Sequence, residues 1–170
     1  MPRSITFSLL FILTVLPQSA MAFEKAVEGR VLYVSDGDTL VFKPDKGHQY
    51  RCRLYGIDAP ETAHESKVGQ PFGREASNTL SHLVNNMRVE VIRTGEKTYN
   101  REVCVVIHSG TDINLKMIKS GLAWAYRKHL KEPFRKAYIK AEEEARKKGV
   151  GLWVDGDAIS PAEFKREYWK

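Results

Sequence analysis

The runs AVEGRVLYV (26–34), TLVFK (39–43) and YRCRLYGI (50–57), with the turns Ser35-Asp36-Gly37-Asp38 and Pro44-Asp45-Lys46-Gly47 between them, decide the fold. Each run is rich in β-branched and aromatic residues and so reads as a strand. Each turn is built from Gly, Pro, Asp and Ser, with Gly37 placed to take positive φ, and Pro60 stops the third run. Three strands joined by short turns make a meander. Downstream, Phe72, Ala76, Leu80, Leu83, Val84 and Met87 recur at three- and four-residue spacing, which predicts a helix over 72–87. Residues 89–93 and 103–107 are the next strands, joined by a polar loop over 94–101. Asp112 suits the N-cap of a short helix ending at Ser120-Gly121. A third helix is expected over 132–148, closed by Gly149, with Glu142/Arg146, Glu143/Lys147 and Glu144/Lys148 one turn apart. The tail, 150–170, carries Leu152, Trp153, Phe164, Tyr168 and Trp169 and is expected to dock on the body. This element order predicts an α+β fold, a five-stranded OB-type Greek-key barrel with three helices. Barrels of that type take up oligonucleotides on one face and in the adjoining loops.

At 170 residues the chain suits one domain, preceded by a leader. Met1-Pro2-Arg3 is a short positive start, residues 5–16 are apolar, and Ala20-Met21-Ala22 supplies small residues in an A-x-A arrangement. Residues 1–22 therefore read as a secretory signal cleaved after Ala22, with the barrel domain over 23–170. The apolar run is short of the roughly 20 residues that cross a bilayer, and no later stretch is apolar enough. The mature product is expected off the membrane, secreted or periplasmic, as a monomer with no protein partner implied. The net charge is +6, which favours polyanions. Nucleic acid is one such partner, although anionic headgroups or plain solubility account for the charge equally well. The two cysteines, Cys52 and Cys104, sit in strand-like runs. Export would invite a disulfide, but sequence does not bring their Cα atoms together, so a disulfide and two free thiols both stay open. With no histidine beside them they make a poor zinc site.

The chemistry gathers where the strands end. Asp38 follows a turn and Asp58 a strand end, positions from which a carboxylate points out of a sheet. Two aspartates, the carbonyl of Ala59 (held extended by Pro60) and waters make an oxygen set suited to calcium. The terminal glutamate and ligand ladder of an EF-hand are missing. A site with so few protein charges binds weakly, at the 10⁻⁴ to 10⁻³ M order typical of extracellular calcium modules. Arg53 lies between apolar Cys52 and Leu54, five residues before Asp58; Arg101 opens the fifth strand. Guanidinium gives paired hydrogen bonds to phosphate and keeps its proton, so one arginine holds a phosphate while the other stabilises developing charge. Glu61, directed by Pro60, is the candidate general base, or an indirect calcium ligand through water, or both. Tyr99 and the stretch Trp124-Ala125-Tyr126-Arg127-Lys128-His129 place aromatic faces among cations, the mixture that stacks bases and follows a backbone. Tyr126 suits a substrate lip, whereas Trp124 suits the core. The five histidines show no metal-ligand spacing and no catalytic pairing.

In Asp36-Gly37-Asp38-Thr39-Leu40, Arg53-Leu54 and Ile57-Asp58-Ala59-Pro60-Glu61, the chain resembles the staphylococcal-type thermonuclease (micrococcal nuclease) family. A weaker likeness continues through Tyr99-Asn100-Arg101, Lys119-Ser120-Gly121-Leu122-Ala123 and Gly151-Leu152-Trp153. The resemblance implies an OB-type barrel that cleaves DNA and RNA with Ca²⁺ on the 5′ side of phosphorus, leaving 3′-phosphates. It would place the calcium ligands on Asp38, Asp58 and the Ala59 carbonyl, and the catalytic groups on Arg53, Glu61 and Arg101. A phosphate contact would fall on Tyr99. Thr98 stands where the family has a basic residue, and Asn100 where it often has glycine. The competing reading is the same barrel without hydrolysis, a nucleic-acid-binding module. Such a module would not need all of Asp38, Arg53, Asp58, Glu61 and Arg101. A third reading is a phosphodiesterase for a smaller substrate.

Overall fold

The computed structural model describes residues 23–154 and 156–169; the expected signal segment, 1–22, lies outside them. Its strands are β1 (Val27–Asp36), β2 (Thr39–Pro44), β3 (Tyr50–Leu54), β4 (Ile57–Asp58), β5 (Arg88–Thr98), β6 (Arg101–His108), β7 (Thr111–Asp112) and β8 (Trp124–Ala125). Its helices are α1 (Gly73–Val84), α2 (Ile113–Lys119), α3 (Phe134–Lys148) and α4 (Pro161–Tyr168), with a 3₁₀ turn at Gly151–Trp153.

Antiparallel ladders join β3 to β2, β2 to β1, β1 to β5, and β5 to β6. A parallel ladder between β3 and β6 then closes the five strands into a barrel, with Arg51 opposite Arg101 and Leu54 opposite Cys104. This is the expected OB-type barrel. Its core is Val31, Leu40, Phe42, Leu54, Val91, Val105 and their neighbours, capped by Ala76, Leu80 and Val84 of α1 and by Ile113, Met117 and Ile118 of α2. Where β3 and β6 diverge, buried Asn114 fills the gap. Its Nδ2 donates to the carbonyls of Tyr55 and Cys104, both at 3.0 Å, and its Oδ1 accepts from Val106 N at 3.2 Å. As expected, Asp112 caps α2, accepting from Leu115 N at 2.9 Å. No described helix is long and apolar enough to cross a membrane.

Four elements differ from expectation. The third run does not continue to Ile57, because Gly56 turns the chain at φ 71°. Ile57 and Asp58 leave the barrel to pair with Ala125 and Trp124 instead. Residues 94–101 are mostly strand rather than loop. β5 and β6 extend as a two-stranded arm around a short turn, with Tyr99 at φ 54°. The first helix is shorter, ending at Val84, where Asn85 turns extended. The tail holds a fourth helix, begun by a capping box between Ser160 and Glu163 with Pro161 in its first turn.

The cysteines are free thiols, fully buried and in contact, with Cys104 Sγ 2.9 Å from Cys52 Sγ. Glu142 pairs with Arg146 at 3.4 Å, as their spacing implies. It is also fully buried, accepts from Ala125 N at 3.3 Å and pairs with Arg127, so it anchors β8. Lys140 rather than Lys148 meets Glu144, at 3.9 Å.

Candidate active site

The turn between β1 and β2 sets the first carboxylates. Asp36 Oδ1 accepts from Asp38 N at 3.1 Å, and Asp38 turns inward, only 2% exposed. Gly37 is required here for space: a Cβ on it would lie 2.7 Å from Ala59 Cβ and 2.8 Å from Ala76 Cβ. It is not among the positive-φ glycines, so the conformational reason expected from sequence is corrected to a steric one. Asp38 then ties the neighbouring elements together. Its Oδ1 accepts from Thr39 Oγ1 at 3.0 Å, its Oδ2 from Ala59 N at 3.1 Å, and its carbonyl from Leu54 N at 2.8 Å.

Arg53 projects from β3 between Asp38 and Asp58, paired with Asp38 through Nη1 and with Asp58 Oδ1 through Nη2 at 2.6 Å. Arg101, at the start of β6, donates from Nη1 to Thr39 Oγ1 at 3.3 Å. Glu61 follows on the loop after β4. Its Oε1 faces Lys165 Nζ at 2.7 Å, and its backbone is fixed by Gln70, which donates N–H to Glu61 O at 2.8 Å and accepts from Glu61 N at 3.3 Å. Gly73 leaves room for this loop, since a Cβ there would meet Glu61 O at 2.1 Å.

These groups line one cleft of about 460 Å³. It receives Asp38, Arg53, Asp58, Ala59, Glu61 and Arg101 from the barrel end, Tyr99 from the arm, and Tyr126 from the segment after β8. Every residue read from sequence as a candidate metal ligand, catalytic group or substrate contact therefore lines it. Tyr99 stands at the tip of the arm, 95% exposed, and Tyr126 stacks on His129 with ring centroids 5.0 Å apart. Trp124 is buried against Trp153, as expected for a core residue.

Sequence reasoning missed four participants. Asp36 was assigned to the turn alone, although its place two residues before Asp38 at a strand end was the available signal. His129 closes the aromatic-basic stretch 124–129 but has no catalytic or metal-ligand spacing that would single it out. Lys165 and Gln70 come from distant sequence and left no local sign.

The cleft gathers buried carboxylates around a guanidinium. Asp38 and Asp58 pair with the one guanidinium of Arg53 and leave an excess of one negative charge, to which Asp36 adds only where it ionises. Burial lifts Asp36 to about 7, and the Asp38 charge adds to the rise. Burial also raises Asp58, opposed by Arg53. For Arg53, burial alone would lower the pKa, but Asp38 and Asp58 outweigh it and hold the group above its ordinary value. Among the described residues no three His, Cys, Asp or Glu side chains gather at metal-binding spacing. A cation held here needs carbonyl and water oxygens besides Asp38 and Asp58, the donor chemistry of a hard divalent ion. The cleft thus sets concentrated negative charge beside two guanidiniums and a carboxylate.

Comparison with known proteins gives the same direction. Residues 51–155 match the family described as staphylococcal nuclease homologue. The chain is 41% identical over 160 residues to an uncharacterized endonuclease of Haemophilus influenzae, covering 94% of this chain and 83% of that protein. It is 37% identical over 122 residues to a thermonuclease of Staphylococcus intermedius, covering 71% of this chain and 72% of that one. Over 147 residues it is 35% identical to a micrococcal nuclease of Shigella flexneri, covering 81% and 80%.

Proposed function

Since this chain belongs to the staphylococcal nuclease homologue family, we propose that it is an exported, calcium-dependent nuclease that hydrolyses DNA and RNA to 3′-phosphate products. The observation that carries this reading is the single cleft in which Arg53, Arg101 and Glu61 surround a carboxylate-rich pocket. A binding module needs cations along a groove; it has no use for a carboxylate poised beside them, where it repels phosphate.

Asp38, Asp58 and the Ala59 carbonyl would hold Ca²⁺. Bound there, the ion would polarise a phosphoryl oxygen and acidify a nearby water. Arg53, whose Nη1 and Nη2 pair with Asp38 and Asp58, would exchange those pairs for two parallel hydrogen bonds to the phosphate as the aspartates turn to the ion. Glu61 takes a proton from the attacking water as its oxygen joins phosphorus. The bond from phosphorus to the 5′-oxygen breaks, and that oxygen leaves and collects a proton to become a hydroxyl. Arg101 stabilises the charge that builds on the phosphorane oxygens and the leaving oxygen. Tyr99 and Tyr126 flank the path of the chain and offer a phosphate contact and a stacking face.

The test is plasmid DNA, and separately a single-stranded RNA, incubated with purified 23–170 in millimolar calcium, in micromolar calcium and in chelator. Cleavage in millimolar calcium that stops in chelator supports the reading. Retardation of nucleic acid without cleavage returns the protein to the binding module. Full activity at micromolar calcium contradicts the weak, extracellular-type site. Localisation is checked by comparing the periplasmic and medium fractions of cells expressing the full chain; retention in the cytosol contradicts export.

A further inference from the structure

Helix α4 reaches the cleft from outside the barrel, and the chemistry above does not use it. Lys165 on α4 sets Nζ 2.7 Å from Glu61 Oε1, across 104 residues of sequence. A second tie runs through Gln70, whose amide clasps the Glu61 backbone. Its Nε2 donates to Ile159 O at 2.8 Å, just ahead of the helix. At the far end Trp169 Nε1 donates to Val68 O at 2.9 Å, and its ring meets His64 edge-on at 5.2 Å. The capping box at Ser160 and the buried Phe164 fix the rotation of α4. The chain from 159 to 169 is thus fastened along the loop 61–70 at its start, middle and end. Glu61 Oε2 makes no hydrogen bond among the described residues.

We infer that Lys165 is a positioning residue for the reaction proposed above, holding Glu61 through Oε1 so that Oε2 stays free to accept the proton of water. The inference rests on the reading of Glu61 as base. Lys165 itself forms no bond to substrate and moves no proton. Its side chain is 43% exposed and that of Glu61 19%, and a pair so exposed adds little to stability. Its loss therefore shows in turnover. An ångström of misplacement at a reacting group costs up to about a hundredfold in rate.

The experiment measures kcat and KM on a defined single-stranded oligonucleotide at saturating calcium for wild type, Lys165→Met, Lys165→Arg, Glu61→Gln and the double variant Glu61→Gln/Lys165→Met, with Tm recorded for each. Lys165→Met should lower kcat by about ten- to a hundredfold, with KM within about twofold and Tm unchanged. Lys165→Arg, which keeps the charge, should recover most of kcat. The double variant should lose no more than Glu61→Gln alone, because the lysine acts only through that carboxylate. Equal kcat in Lys165→Met beside a crippled Glu61→Gln overturns this inference and leaves the proposed function standing. A rise in KM alone would make Lys165 a phosphate contact, and a rise in kcat would make it a blocking group; either overturns the positioning role. Full turnover in Glu61→Gln, or none in wild type, removes the base itself and overturns both readings.

Discussion

At the scale of single residues, the site is governed as much by what is missing from side chains as by what they carry. Gly37 lets the β1–β2 turn lie against Ala59 and Ala76, and Ala59 is tied to Asp38 through its N–H. A methyl at 37 pushes Ala59 outward and changes the spacing between its carbonyl and Asp38. Gly37→Ala should destabilise by about 1–3 kcal/mol, the usual cost of overpacking, and move the calcium midpoint of activity upward; urea unfolding and a calcium titration check the two. Glu61→Gln keeps shape and removes the base, so kcat should fall by about 10²–10⁴ with KM nearly constant. Arg53→Ala should impair both kcat and KM. It also leaves Asp38 and Asp58 facing each other without their shared cation, a loss worth about 3–5 kcal/mol when a buried pair is broken. Denaturation without calcium should reveal that destabilisation, and added calcium should relieve it in part. Arg53→Ala with unchanged stability in chelator would show that the two carboxylates do not depend on the guanidinium.

At the scale of elements, the strands that build the barrel were legible because they are rich in β-branched and aromatic residues and are punctuated by Gly, Pro and Asp. The end of the third strand was not, since Tyr55-Gly56-Ile57 continues the apolar pattern while Gly56 turns the chain. The partner that captures Ile57 and Asp58, β8, is a tertiary match invisible to local propensity. The arm formed by β5 and β6 was hidden by polar residues, because both its faces meet water near the tip. The candidate site residues on strand ends could be read from their spacing and from family resemblance. Lys165 could not, although Ser160-Pro161-Ala162-Glu163 did carry the helix-start signal of α4. Tyr99, at the tip of the arm, packs on nothing the fold needs. Tyr99→Ala should raise KM for oligonucleotides severalfold and leave Tm within about 2 °C, since exposed substitutions stay within about 0.5 kcal/mol. Burial pushes the Cys52 thiol well above its ordinary pKa, and both cysteines are sealed in the core. A water-soluble thiol reagent should therefore label neither cysteine in the native protein and both in denaturant; rapid native labelling would show that the seam between β3 and β6 opens readily.

For the whole molecule, the calcium binding proposed above would be linked to folding. If Ca²⁺ binds the cleft with a dissociation constant of 10⁻⁴–10⁻³ M, then 10 mM calcium adds about 1.4–2.7 kcal/mol of stability, or a rise of a few degrees in Tm. Differential scanning calorimetry with and without chelator measures this, and an unchanged Tm would deny the cleft any cation affinity. The parallel ladder between β3 and β6 has a further consequence, for the order of events along the folding pathway. It joins Arg51 to Arg101 and Arg53 to Val103 across a long loop of chain, and pairings so distant in sequence are slow to form. Arg53 and Arg101 come to line the same cleft only when that ladder zips shut. If the proposed cleavage needs both guanidiniums, a half-folded chain would be inert towards the nucleic acid around the ribosome that makes it, and destructive power would arrive only with barrel closure.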